Sequence, residues 1–289
     1  MGDQIDVKNA VELQAINGDI YCFDGEYYDI KGDAVPATFI ATCKLYEVVR
    51  IIDHTPLFFE AHYERLQHSA KRKRVTFPLT MDALKASLLA VVEKNGLGNC
   101  NGMIVCYFFE DTFHSLVFAR KHAYPSASQY QDGVELTLLE IERQDPQIKQ
   151  IDETYNQLTA QERAKPGIFE VLLVNLDGWV TEASKANVFF IFGDQVVTPP
   201  ADQVLVGVTR QCVIKAIVAT GTAFTEKMVS KDDLKRCNGL FITGTSLHVL
   251  PVKKIGALEF GTACNPIFLK IKKEFENRVV SYIEKGDAN

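Results

Sequence analysis

The chain has 289 residues, of which 47% are hydrophobic, 24% charged and 10% aromatic, too apolar and too weakly charged for a disordered chain. The formal net charge of −6 argues against a broad nucleic-acid footprint, and no run approaches the roughly 18 apolar residues of a membrane span. The length suits one large domain or two of about 100–150 residues each.

The polar start, MGDQIDVKNAVELQ, has no apolar signal-peptide core. Asp6 stands where a myristoylation motif needs Ser or Thr. Ile20–Ile30 holds two β-type runs around Asp24-Gly25, a hairpin signal. Leu45–Ile52 is β-branched and apolar and reads as a strand. Helical spacing begins at Pro56 and runs through Phe58, Phe59, His62, Leu66 and Ala70. Met81–Lys94 reads as a second amphipathic helix capped by Thr80. Met103–Phe109 and Ser115–Arg120 read as paired strands. The polar stretch Ala123–Asp132 then reads as the connection between two domains.

Val134–Ile141 opens the second half as a strand. Lys149–Lys165 reads as a helix closed by Pro166-Gly167. Closely spaced strands follow at Phe169–Val174, Trp179–Thr181, Asn187–Phe192 and Gln195–Val197, with Asp177-Gly178 and Gly193-Asp194 as turns. Val208–Ala219 reads as a helix and Leu240–Thr243 as a short buried strand. Asn265-Pro266 starts a last helix with the stripe Ile267, Phe268, Ile271, Phe275, Val279 and Ile283. The seven scattered cysteines lack C-x-x-C and suit reduced thiols in the cytoplasm. The six histidines form no ligand cluster, so no metal is expected.

Three places suit an anion of the phosphate kind. Leu205-Val-Gly-Val-Thr-Arg210 precedes a helix, whose start presents N–H groups and partial positive charge. It reads equally as a glycine turn with a Thr cap. Thr243-Gly-Thr-Ser246 at a strand end can form an anion nest or an ordinary turn. Arg65 is the third, though a lone helical Arg is usually a solvated surface group. Lys149 is a potential nucleophile if its amine is desolvated, and otherwise a surface charge. Glu182 can hold a protonated ring nitrogen or be a turn carboxylate. No one of these spacings names a cofactor.

Taken in order, the segments resemble the class IV aminotransferases, the fold-type IV family of pyridoxal-phosphate enzymes. That family includes branched-chain aminotransferases, D-amino-acid aminotransferases and aminodeoxychorismate lyases. The most specific match is Asp177-Gly-Trp-Val-Thr-Glu-Ala-Ser-Lys-Ala-Asn-Val-Phe, which is similar to the signature G-x-V-T-E-x-S-x-x-N-x-F. Leu205-x-Gly-Val-Thr-Arg210, Thr243-Gly-Thr-Ser246 with Pro251-Val252, His62-x-x-Arg-Leu66 and Tyr46-Glu47 add to it. The resemblance covers about residue 40 to about residue 255.

The resemblance implies an α+β fold of two domains. These would be a small α+β domain at 1–122, a linker at 123–132, and a larger cofactor domain at 133–289 with a barrel-like β-sheet core. It implies pyridoxal 5′-phosphate as cofactor, amino-acid and 2-oxo-acid substrates, and a cytoplasmic homodimer. Lys149 matches the lysine that bonds to the cofactor's aldehyde, and Glu182 the residue on the pyridine nitrogen. Arg65, Val208, Thr209, Gly244 and Thr245 match the phosphate site, and Asn187 the signature's partly structural asparagine.

The chain also departs from the family. Relatives carry an arginine for the substrate carboxylate in the strand matching Val105–Asp111, and this chain has none there. Arg120 and Lys121 follow later and read either as replacements or as surface charge. Tyr155 stands about one position from the family's cofactor-contacting tyrosine. The expected activity is amino transfer between a small amino acid, branched-chain-like or D-configured, and a 2-oxo acid. The alternatives are β-elimination of the aminodeoxychorismate-lyase type and a cofactor-binding homologue with little turnover.

Overall fold

The computed structural model describes residues 15–32, 43–109, 112–143 and 145–285. The N-terminal segment read above and Glu110 and Asp111 lie outside them. The chain forms two compact units. One takes the described residues up to Ala123 together with Ile148–Ile151; the other takes Tyr124–Gln147 and Asp152–Lys285.

The first unit is an antiparallel sheet in the order β2-β1-β6-β5-β3-β4. Its strands are β1 (Ile16–Phe23), β2 (Glu26–Asp29), β3 (Cys43–Ile52), β4 (Thr55–Pro56), β5 (Cys100–Phe109) and β6 (Thr112–Arg120). The β1–β2 hairpin turns through Asp24 and Gly25, both at positive φ (49° and 88°), as a two-residue hairpin loop requires. Side chains alternate along β3. Leu45, Val49 and Ile51 pack on helices α1 (Phe59–Arg72) and α2 (Met81–Lys94). Tyr46 and Val48 lie on the other face, with Tyr21, Met103, Val105, Tyr107 and Phe118. Helix α2 starts where the sequence placed it, and its Thr80 Oγ1 accepts from Ala83 N at 3.2 Å.

Helix α1 starts at Phe59, three residues later than Pro56. After β3 the chain reverses at Asp53-His54, and Thr55 and Pro56 pair back with Ile52 and Ile51. Pro56 lies on an edge strand, where its missing N–H costs no ladder bond. Phe58, left-handed at φ 53°, separates this pair from the helix.

The second unit has a ten-stranded sheet that curls into a half-barrel. Its strands are β7 (Val134–Glu140), β8 (Ile168–Val174), β9 (Trp179–Ala183), β10 (Asn187–Phe192), β11 (Gln195–Thr198), β12 (Ala223–Glu226), β13 (Val229–Ser230), β14 (Gly239–Gly244), β15 (His248–Ile255) and β16 (Leu258–Glu259). The path runs β12-β11-β10-β14-β15-β7-β8-β9-β13, with β16 on β15. Its helices are α3 (Ala127–Asp132), α4 (Glu153–Arg163), α5 (Val208–Ala219) and α6 (Pro266–Lys285). Asn265 caps α6, accepting from Ile267 N and Phe268 N, and Phe268, Ile271, Phe275 and Val279 of the expected stripe are buried.

Two stretches differ from the sequence reading. The polar connection 123–132 contains α3, closed by a reciprocal Ser126–Gln129 capping box. The helix expected from Lys149 begins only at Glu153, where Asp152 Oδ1 accepts from Tyr155 N at 2.9 Å. Residues 148–151 instead lie along β3: Tyr46 N donates to Lys149 O at 3.1 Å and Ile151 N to Lys44 O at 3.0 Å. Among the described residues no helix is long and apolar enough to cross a membrane.

Candidate active site

In the first unit the chemistry gathers around β3. Lys149, clipped to the strand edge, places its Nζ 4.4 Å from the centre of the Tyr46 ring. An ammonium over an aromatic face is held electrostatically without a carboxylate partner. On the helix-facing side, Glu47 is 1% exposed and accepts from Arg65 through a two-pronged fork, Nε to Oε1 at 2.8 Å and Nη2 to Oε2 at 2.6 Å. His62 Nδ1 lies 2.7 Å from Glu47 Oε2. His62 and Arg65 are one α-helical turn apart, so α1 delivers both to one strand residue.

Burial alone would raise the Glu47 carboxyl. The Arg65 charge and hydrogen bonds, helped by His62, outweigh burial and hold it down at about 2. Burial pushes the His62 imidazole down, and the Arg65 and Lys149 charges add to this against the opposing pull of Glu47. His62 is therefore neutral near pH 7 and donates its Nδ1–H to the ionised Glu47.

In the second unit the signature segment builds a separate cluster. Glu182, at the end of β9, is 4% exposed. Its Oε1 accepts from Arg143 Nη1 at 2.6 Å. Its Oε2 accepts from Leu205 N at 3.2 Å and Asn187 Nδ2 at 3.3 Å. Asn187 also donates to Leu205 O at 2.8 Å, so it ties the signature strand to the loop before α5. Gly207 is the N-cap of α5, without a side-chain cap, and leaves the amides of Val208 and Thr209 in the first turn. A Cβ at Gly207 would lie 2.1 Å from Asn187 Oδ1. Gly244 ends β14 against Lys185 and Ala186, and Thr245 follows in the turn. Thr243, paired with Asn187 across the sheet, has a buried hydroxyl with no partner among the described residues.

Arg65 and Lys149 thus share one neighbourhood in the first unit. Glu182, Asn187, Val208, Thr209, Gly244 and Thr245 share another in the second. Sequence reasoning missed Arg143, the ion partner of Glu182, because 39 residues separate the two and no spacing rule links them. It also gave His62 and Glu47 no role, although the pair of motifs that contain them was the available signal. Tyr155 Oη donates to Ser184 O at 3.0 Å, and the Arg143 guanidinium lies 5.7 Å from its ring centre. Ser184 in turn bonds Glu170 at 2.5 Å and receives a bond from Arg163. Among the described residues no cluster of three His, Cys, Asp or Glu is arranged to hold a metal.

The family model for amino-transferase class IV matches residues 44–255. The chain belongs to the class IV aminotransferase family. It is thereby an enzyme, and the family uses pyridoxal phosphate. It is 26% identical over 260 residues to D-alanine aminotransferase of Bacillus licheniformis, covering 83% of this chain and 89% of that protein. It is 23% identical over 252 residues to branched-chain-amino-acid aminotransferase of Pseudomonas aeruginosa, covering 80% and 82%. Its fold is similar to that of the branched-chain aminotransferase of the thermophilic archaeon Thermoproteus uzoniensis, solved with norvaline. The TM-score is 0.80 at 22% identity, over 93% of this chain and 97% of that one. The relatives named here are transferases, and nothing in them calls for the elimination chemistry.

Glu47→Ala removes the buried carboxylate that Arg65 and His62 share and lowers stability by about 3–5 kcal/mol, read from urea unfolding at pH 7. In the wild type, His62 charges more readily unfolded than folded, so stability declines as pH falls below the ordinary 6.5. Glu47 has a depressed folded value. Its contribution is full above the ordinary 4.5 and is lost as pH falls towards about 2. The melting temperature therefore drops in two stages on acidification, and Glu47→Ala flattens the lower one. Gly207→Ala costs about 1–3 kcal/mol, because Asn187 is tied on its other atoms and cannot swing aside; a melting temperature equal to wild type would show that the cradle yields.

Proposed function

We propose that this chain is a pyridoxal-phosphate-dependent aminotransferase that moves an amino group between a small amino acid, branched-chain-like or D-configured, and a 2-oxo acid. The observation that carries the reading is Lys149: a half-buried lysine whose carbonyl, with the amide of Ile151, is hydrogen-bonded to β3, and whose amine lies over the Tyr46 ring. The family's signature supports the assignment of the other groups.

The cofactor is tested for fit by two features of the second unit. One is a helix start whose cap residue must be glycine, since a Cβ there meets Asn187. The other is the orphaned Thr243 hydroxyl beside the Gly244-Thr245 turn. Both suit a group that brings hydrogen-bond acceptors, as a phosphate does. In this reading Arg65, the amides of Val208 and Thr209, the Thr209 hydroxyl, and Gly244 with Thr245 take the phosphate. Glu47 fixes the plane of the Arg65 guanidinium, so the fork keeps one direction. Glu182 faces the ring nitrogen, and Asn187 keeps that carboxylate and the Leu205 carbonyl in register.

Pyridoxal phosphate supplies an aldehyde and an electron-withdrawing pyridinium that acidifies the α-hydrogen of an attached amino acid. The residues do the rest. With the cofactor bound, the Lys149 amine would be the group that accepts the α-proton as a general base and gives it back as a general acid. Glu182 would meet the ring nitrogen through a charge-assisted hydrogen bond. Arg143 holds the other side of that carboxylate in an ion pair at 2.6 Å. A homodimer working in the cytoplasm completes the proposal, supported by the family and by seven cysteines that form no disulfide with one another.

The test is direct. The purified protein should take up pyridoxal phosphate and turn yellow. Borohydride reduction should fix the cofactor to the peptide that contains Lys149, and Lys149→Ala should abolish the labelling and at least a thousandfold of the activity, on the order expected for a lost general base. A protein that stays colourless in excess cofactor, or labelling of another lysine, would sink the assignment.

A further inference from the structure

We propose that Lys44 binds the carboxylate of the amino-acid substrate. This rests on the aminotransferase reading above. The carboxylate sits on the carbon that bears the reacting amine, so its counter-charge must lie near Lys149. Lys149 Nζ lies over Tyr46, on the face of the first unit's sheet that also carries Val105 and Tyr107. Lys44 is two residues before Tyr46 on the same strand, which places it on that face about 7 Å along. It is also opposite Tyr107 in the β3–β5 register, and its Nζ lies 5.8 Å from the centre of the Tyr107 ring.

The main chain couples the two lysines. Ile151 N donates to Lys44 O and Tyr46 N to Lys149 O, so the carriers of both amines are hydrogen-bonded to each other's strand. The other cations on this face are badly placed. Arg50 and Arg120 both lie opposite Asn101. Arg50 is four residues from Tyr46, and Asn101 four from Val105, the partner of Tyr46, so both arginines start about 13 Å along the strands from Tyr46, against about 7 Å for Lys44. His114 stands opposite Tyr107 on the far side of β5, but its Nδ1 is held by Asp24 at 2.6 Å.

β5 itself contributes Tyr107 and Phe109 near this end and no cation. A half-buried ammonium on an aromatic face is a strong point charge for a carboxylate. Tyr107 guides the stem, and Tyr46 walls the space between the two amines. The geometry assigns Lys44 to substrate binding and leaves proton transfer to Lys149.

The test uses the holoprotein and the variants Lys44→Met and Lys44→Arg. The first half-reaction is followed by loss of the cofactor's absorbance with L-valine and with D-alanine. It is repeated with isobutylamine and ethylamine, the same donors without the carboxylate. Lys44→Met should raise the half-saturating concentration of the amino acid about 10- to 100-fold, the loss of one charge-assisted bond, with little change in the limiting rate. The two amines should be unaffected, and Lys44→Arg should restore most of the amino-acid affinity.

A readout without turnover is calorimetric binding of 3-methylbutanoate, which Lys44→Met should weaken by a similar factor. Equal losses for amino acids and amines, or unchanged binding of 3-methylbutanoate, would overturn the assignment of Lys44. Failure of the wild type to take up cofactor would overturn the aminotransferase reading instead. Wild-type reaction with the amines but with neither amino acid would also count against Lys44.

Discussion

A carboxylate taken out of water is tolerated only where donors replace its hydration. Three such carboxylates organise this protein. Glu47 is matched by Arg65 and His62, Glu182 by Arg143, Asn187 and a backbone amide, and Glu170 by Ser184 and Arg163. In each case the arginine comes from a different element or loop than the carboxylate. Each pair therefore fixes a strand to a helix or loop, and losing one partner would leave a buried charge. The positive groups of an acidic chain are thus held where the carboxylates need them.

The second constraint is backbone pairing. Residues 148–151 run along the edge of β3 instead of starting a helix, and the extended alternation decides where their side chains go. Ile148 joins the core beneath α1 and α2, Ile151 packs on the opposite face, and Lys149 falls over Tyr46. A lysine on a helix would carry its amine on a long stem from a backbone that frays at the start. Here two main-chain bonds set the Cα, and the aromatic ring limits where the ammonium can rest. For the proposed role of Lys149 a few ångströms matter, because proton transfer needs hydrogen-bond reach.

Much of this was legible because local rules and tertiary structure agree. Thr80 and Asn265 are capping residues, and they cap; Asp24-Gly25 is a turn, and it turns. The signature segment around Glu182 and Asn187 was visible as a run of residue types in fixed order. What was hidden depends on which segments pair. Pro56 reads as a helix start, but Ile51 and Ile52 pair with it and with the residue before it. Strand β15 is interrupted by Pro251 and by Lys253-Lys254, and it survives as a strand because β14 and β7 flank it. Arg143 has nothing in its neighbourhood to mark it. Its role is set by Glu182, 39 residues away.

The two kinds of group differ in how firmly they are held, and the reason is chemical. Glu182 has three donors, Asn187 two separate acceptors, and Gly207 no room for a methyl group. Such over-determination suits a partner of fixed shape, and a cofactor is one. The face of the first unit's sheet is more open: Tyr46 and Lys44 are half-buried, and the two amines lie 4.4 and 5.8 Å from the centres of the Tyr46 and Tyr107 rings. That openness suits a variable partner, since side chains of different amino acids must pass while only the carboxylate is common to all of them. A mobile ammonium stem follows that group over a range of positions, whereas a guanidinium fork demands one plane. Replacing a rigid arginine by a lysine on the neighbouring strand would therefore broaden the accepted substrates at the expense of affinity for each.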